Sequence, residues 1–329
     1  MNSPFLRRVK RLLTRRRVIG SGLVLTVLGA LGVMRLLPDA LSEAETQALY
    51  ETPLAAPETP LRVFHLGHSL VGRDMPVFLQ QLAPDGHDHQ SQLGWGTPLR
   101  AHWEPEEEIG GFEAENAHPH YRDAKAALAS GDYDAVVLTE MVEIRAAIAY
   151  FGAAEYLAKW AEAARAGRPD APVYLYETWH RLDDEEGWLT RLDLDLARYW
   201  EAEILRRALA MDPKRRPIHV IPAGQVLAAF VREIETKGRV PDLDSREDLF
   251  NRDESGALDT IHINDIGAYL VALTHFAVLY HQSPVGLPHE LIRADGSKMA
   301  TITPQTARLM QEVTWSVVSA YDKTGIAAK

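Results

Sequence analysis

The chain has 329 residues, room for two average domains or one α/β domain with additions, and contains no cysteine. Hydrophobic residues make up 46% and charged residues 25%, ordinary globular proportions that exclude a disordered or collagenous chain, and the missing cysteines exclude disulfides, a thiolate zinc site and a cysteine nucleophile. The seven Arg and Lys residues of 1–17 face no acid, so the remainder holds 28 basic against 46 acidic residues, a net charge of −18 that repels nucleic-acid phosphates.

Behind this basic run comes VIGSGLVLTVLGALGVM, residues 18–34, with no charge before Arg35. At 1.5 Å per residue such a stretch spans roughly 25 Å of a bilayer core about 30 Å thick, and a snorkelling Arg35 lets Leu36 and Leu37 extend it. Positive charge ahead of the apolar run places the body after residue 40 on the extracytoplasmic side, the periplasm of a bacterial-type cell. Two readings stay open: an uncleaved transmembrane anchor, or an export signal. Thr14-Arg15-Arg16-Arg17-Val18-Ile19 resembles a twin-arginine signal, with Ser42 and Ala44 as small residues for a cleavage site.

Residues 38–60 hold four of the nineteen prolines and read as a linker. The domain organisation is therefore a basic N-terminus plus anchor or signal (1–37), a linker (38–60) and one domain (61–329). From Leu61 onward, short apolar runs alternate with helical stretches. Strands are predicted at Arg62–Leu66, Ser91–Leu93, Ala135–Leu138, Val173–Tyr176 and Ile218–Ile221. Helices are predicted near 74–83, 117–130, 146–166, 193–211, 223–237, 265–281 and 304–321. Strands apolar on both faces, each followed by a helix, indicate an α/β fold with a parallel five-stranded sheet covered on both sides. Ligands of such sheets sit beyond the carboxyl ends of the strands.

The first strand runs into Gly67-His68-Ser69-Leu70, and a helix follows. A serine there points its hydroxyl into the crevice, with its own N–H at the positive end of the helix; the same position also suits an ordinary N-cap. Near the other end stands Asp259-Thr260-Ile261-His262-Ile263-Asn264-Asp265-Ile266-Gly267. A serine nucleophile needs a neutral imidazole to take its proton, and the imidazole needs an acceptor on its other nitrogen. A carboxylate three residues before the histidine, on a loop entering a helix, can supply that acceptor, while Asn264-Asp265 caps the helix.

Taken together, the two segments resemble the SGNH (GDSL-like) hydrolase superfamily. Gly67-His68-Ser69-Leu70 stands where that family has Gly-Asp-Ser-Leu, and Asp259-x-x-His262 where it has its carboxyl-terminal Asp-x-x-His. His262-x-Asn264-Asp265-x-Gly267 is similar to the family's His-Pro-Asn-x-x-Gly, with Ile263 in place of the proline. The resemblance covers roughly residues 61–281. It implies a three-layer α/β/α flavodoxin-like fold, Ser69 as nucleophile, His262 as base and then acid, Asp259 as the residue orienting it, and no cofactor. It also implies an oxyanion hole made of the Ser69 N–H and a glycine N–H after the second strand, Gly96 or alternatively Gly94. The third block departs from the pattern: where the family has Gly-x-Asn-Asp, this chain has Thr139-Glu140-Met141-Val142. An ionised Glu140 would repel an oxyanion, so it can assist only if protonated or if it acts through another group.

Thirteen histidines raise the question of a metal. His87-Asp88-His89 and His118-Pro119-His120 have i, i+2 spacing but no third ligand identifiable by spacing, so no metal site is expected. Tyr176-Glu177-Thr178-Trp179-His180 ends the fourth strand. Trp95 and Trp179 can stack on a sugar ring while Glu177 and His180 bond its hydroxyls. Asp183-Asp184-Glu185-Glu186 reads as an exposed loop or a lid. The expectation is an extracytoplasmic serine esterase acting on an O-acylated carbohydrate or other small ester. Two rivals are a carbohydrate O-acetyltransferase and a catalytically impaired carbohydrate-binding or assembly protein. Oligomeric state is not legible.

Overall fold

Alternation of apolar side chains builds the centre of the molecule, whose computed structural model describes residues 38–236, 238 and 240–327. The strands β1 (Arg62–His68), β2 (Asp88–Gly94), β3 (Ala135–Leu138), β4 (Val173–Glu177) and β5 (His219–Pro222) pair in the order β2-β1-β3-β4-β5, every pair parallel. Successive side chains on a strand face opposite ways. Val63, Ala135, Val137, Tyr174, Tyr176 and Ile221 therefore enter one core, with helices Asp74–Leu82, Ala223–Glu235, Asp265–Tyr280 and Pro304–Ala320. Phe64, Leu66, Val136, Leu138, Leu175 and Val220 enter the other, with helices Ala124–Ser130, Ala153–Gly167 and Arg206–Met211. The expected parallel five-stranded sheet with helices on both faces is what forms. Helix Asp265–Tyr280 is buried from Ile266 to Tyr280, which explains why its sequence shows almost no polar face.

Several boundaries differ from the sequence reading. The helix expected at 117–130 is only Ala124–Ser130, because residues 118–121 form a turn closed by Tyr121 N on His118 O, Tyr121 bridges to Ser91, and Asp123 caps the start by accepting from Ala126 N. The helix expected at 146–166 is two, Ile144–Phe151 and Ala153–Gly167, broken at Gly152, whose φ of 63° lies in the left-handed region. The Asp259–His262 segment is not a loop. It lies on β7 (Leu258–Ile263), which pairs antiparallel with β6 (Phe250–Arg252) outside the main sheet.

Residues 38–60, read as a free linker, are packed on the domain. Ser42 and Glu45 form a capping box on helix Glu43–Ala48, Leu41 joins the second core, the Tyr50 hydroxyl donates to Ile218 O at 2.6 Å and Leu54 N to Gly325 O at 2.8 Å. Two apolar anchors spaced along the segment outweigh its proline content. The apolar run 18–34 lies outside the described residues; among the described residues no helix is long and apolar enough to cross a membrane.

Candidate active site

Ser69 follows β1 directly. Gly67 lets β1 approach the third block: a Cβ there would collide with the Thr139 methyl. The next residue, His68, is buried, and its Nε2 donates to Glu140 O at 2.8 Å while its Nδ1 accepts from Leu70 N at 3.3 Å. His102 supports the same turn from another side. Its Nε2 donates to Gly67 O at 2.7 Å, and its Nδ1 accepts from Gln92 Nε2 at 3.0 Å. Burial pushes both imidazoles down to about 4, partly offset by their carbonyl bonds, so they stay neutral near pH 7 and keep these tautomers. The Tyr176 hydroxyl adds a bond to Leu70 O at 3.1 Å.

His262 arrives from the far end of the chain. Its Nε2 lies 2.9 Å from Ser69 Oγ, and its Nδ1 lies 2.8 Å from Asp259 Oδ2. On a regular strand, residues three apart face opposite ways, so this pair requires an irregular β7. The pairing shows one: Phe250 opposes Ile263 and Arg252 opposes Leu258, two steps on β6 against five on β7. Asp259 Oδ1 closes the bulge by accepting from Ile261 N at 2.9 Å and His262 N at 3.0 Å. Burial raises the Asp259 carboxyl, but these N–H groups and the His262 ring outweigh it and leave the acid below its ordinary value. Asn264, as expected, caps the next helix, accepting from Ile266 N and Gly267 N.

These groups open into a cavity of about 770 Å³, lined by Ser69, His262 and Asp259 together with Trp95, Gly96 and Val142. Of the two candidate glycines, Gly96 faces this cavity with a φ of 55°, in the left-handed region, whereas Gly94 ends β2 packed against Ile109 and Thr97. Glu140 does not line the cavity. Its Oε1 accepts from Met141 N at 2.8 Å and Leu99 N at 3.2 Å, its Oε2 is buried without a hydrogen-bond partner among the described residues, and burial pushes its carboxyl up to about 7. The expected conflict with an oxyanion disappears, because Glu140 buttresses the His68 side of the turn from behind.

The aromatic and polar residues after β4 require correction. Trp179 is fully buried and donates its indole N–H to Ile261 O at 2.8 Å; Leu182 N bonds Thr260 O at 2.8 Å. Trp179 is thus unavailable for stacking and instead holds the bulge that carries His262. Glu177 is buried against Gln225 and Gly224, and burial pushes its carboxyl up to about 8. His180 is buried beside Asp195 at 3.1 Å. Neither reaches the cavity, since β4 ends beneath the loop that follows it. Trp95 is 61% exposed and lines the cavity, its indole N–H held by Glu115 at 2.7 Å. The acidic loop 183–186 is tied down, not free: buried Arg191 bonds Asp184, Glu143 and Asp195, and Arg145 bonds Glu186. Sequence reasoning overlooked Arg73, Arg181, Asn251 and Arg293, which also line the cavity. The Arg73 position beside the Ser69 turn was the available signal. Among the described residues no cluster of three or more His, Asp or Glu side chains could hold a metal ion.

No family model matches the chain, and no curated protein does. A DUF4886 family protein from Bacteroides uniformis ATCC 8492 is similar in structure over 82% of this chain and 98% of its own, with 16% identity and a TM-score of 0.52. The fold is shared. A Corynascus thermopiles (Myceliophthora fergusii) carbohydrate esterase family 2 enzyme with a carbohydrate-binding domain aligns over 70% of this chain and 69% of its own, with 11% identity and a TM-score of 0.37, too distant a likeness to bear on activity.

Proposed function

We propose that the chain is an SGNH-type serine esterase that removes O-acyl groups, chiefly O-acetyl, from a carbohydrate. The observation that carries the reading is the unbroken line from Ser69 Oγ through His262 to Asp259 at the mouth of one cavity. Ser69 Oγ attacks the ester carbonyl while His262 Nε2 takes its proton, and Asp259 holds the Nδ1–H and balances the imidazolium. The N–H groups of Ser69 and Gly96 receive the oxyanion. His262 then protonates the departing sugar oxygen, leaving an acyl-Ser69 ester. A water molecule, deprotonated by His262, attacks that ester and releases the carboxylic acid and free Ser69.

Hydrolysis is favoured over transfer to a second sugar because the His262 side chain is 41% exposed, which lets water reach the acyl-enzyme. The exposed face of Trp95 supports a sugar as the alcohol part of the ester. The test is Ser69→Ala in the full chain with 4-nitrophenyl acetate. We expect turnover to fall at least roughly a thousandfold with an unchanged melting temperature; a variant that still turns over removes Ser69 from the chemistry.

A further inference from the structure

A second cavity of about 440 Å³ adjoins the first, and Gly72, Arg73, Asp74 and Arg293 line both. Three of the four paired histidines noted in the sequence, His89, His118 and His120, line it, while His87 bonds the Tyr280 hydroxyl elsewhere. His89 and His120 stack with ring centroids 4.1 Å apart, and His118 lies 6.3 Å from His120. Burial, followed by the neighbouring imidazoles, pushes His89 down to about 3, and burial with Arg73 and His120 lowers His118, so His89 and His118 act as neutral hydrogen-bonding groups. Nδ1 of His89 is buried without a hydrogen-bond partner among the described residues.

The acids in this wall are already engaged. Asp74 accepts from Ala294 N and from Arg293 Nε, and Asp295 accepts from Ser297 N and Oγ. Arg73 donates to the Ala114 carbonyl and, among the described residues, pairs with no carboxylate. Two arginines and two carboxylates line this cavity, so its formal charge balances, but the Arg73 guanidinium itself meets no carboxylate among the described residues, in a chain whose net charge is −11. A neutral sugar accepts hydrogen bonds from that guanidinium but leaves its charge without an anionic partner. A guanidinium beside a shelf of imidazole nitrogens suits a carboxylate or sulfate, which takes several charge-assisted bonds at once.

We propose that the second cavity is a subsite for an anionic group on the sugar next to the acylated one, so that the substrate is a charged glycan. This rests on reading the first cavity as the ester-cleaving site. The test is titration calorimetry of the full chain carrying Ser69→Ala, using cellotriose, its C6-oxidised triuronate, and inorganic phosphate alone. The triuronate should bind roughly tenfold tighter than cellotriose. That advantage should weaken with added NaCl. It should vanish in Ser69→Ala/Arg73→Gln and survive in Ser69→Ala/Arg308→Gln, a surface change elsewhere.

Equal binding of the two trisaccharides overturns the subsite, as does no binding of the triuronate or its undiminished binding in the Arg73 variant. Phosphate binding as tightly as the triuronate also overturns it, since the site would then recognise a free anion. The two readings fail separately. Wild-type chain that cleaves 4-nitrophenyl acetate but shows no preference for charge loses only the subsite. Chain that binds the triuronate through Arg73 but cleaves no ester loses only the esterase reading.

Discussion

His68 and His102 are chemically the same side chain as His262 and do opposite work. Buried rings with one nitrogen bonded to a carbonyl are locked neutral, and they serve as rigid struts under the turn that carries Ser69. Glu140 completes this support, and its burial has a measurable consequence. Burial pushes its carboxyl, ordinarily near 4.5, up to about 7 in the fold. Between those values the folded protein keeps a proton that the unfolded chain releases, so the stability this residue contributes is full below pH 4.5 and is lost as pH rises to about 7. The loss amounts to about 3 kcal/mol. Glu140→Gln, which cannot ionise, should remove it: urea unfolding at pH 4.5 and 7.5 should show the variant gaining on the wild type at the higher pH. An unchanged difference between the two proteins would mean that Glu140 is already ionised in the fold. Glu177, pushed up to about 8, acts in the same direction.

At the scale of elements, two irregularities make the site. The bulge in β7 turns Asp259 and His262 to the same side, and the buried indole of Trp179 pins it through Ile261 O. The second is the close approach of β1 to the third block at Gly67. Gly67→Ala should cost about 1–3 kcal/mol, because the added methyl meets the Thr139 Cγ2. Thr139→Ser removes that methyl and keeps the hydroxyl that bonds Tyr176 O at 2.8 Å. The double variant should therefore recover most of the loss in a thermal or urea melt. Purely additive losses in the cycle would show that the strain lies elsewhere. Neither feature was legible beforehand. The Asp-x-x-His spacing identified the pair, but a three-residue bulge depends on which strand lies alongside, and Trp179 in isolation reads equally well as a sugar platform.

Across the whole molecule, the parallel topology accounts for why residues 193 positions apart share one hydrogen bond. The carboxyl end of β1 and the small β6–β7 sheet open on the same crevice, where α/β sheets place their ligands. The packed segment 41–54 also bears on the N-terminus. A chain cut near residue 45 would lose buried Leu41 and the Ser42 cap, so we propose that no cleavage occurs there. N-terminal sequencing of the protein from the membrane fraction should return Met1 or Asn2; a start near residue 45 would refute the anchor.

Periodicity, punctuation and residue chemistry were enough to read the parallel sheet, its helical cover and a serine and an acid–histidine pair worth bringing together. Those signals are local: they need only neighbours along the chain. The fate of Glu140, Glu177, Trp179 and His180 was not readable in this way. A carboxylate or an indole has the same composition at a cavity wall and beneath it, and burial is a property of what packs from elsewhere. The meeting of His89, His118 and His120 beside Arg73 is of the same kind, since distant segments acquire a common wall only when the layers close around the sheet.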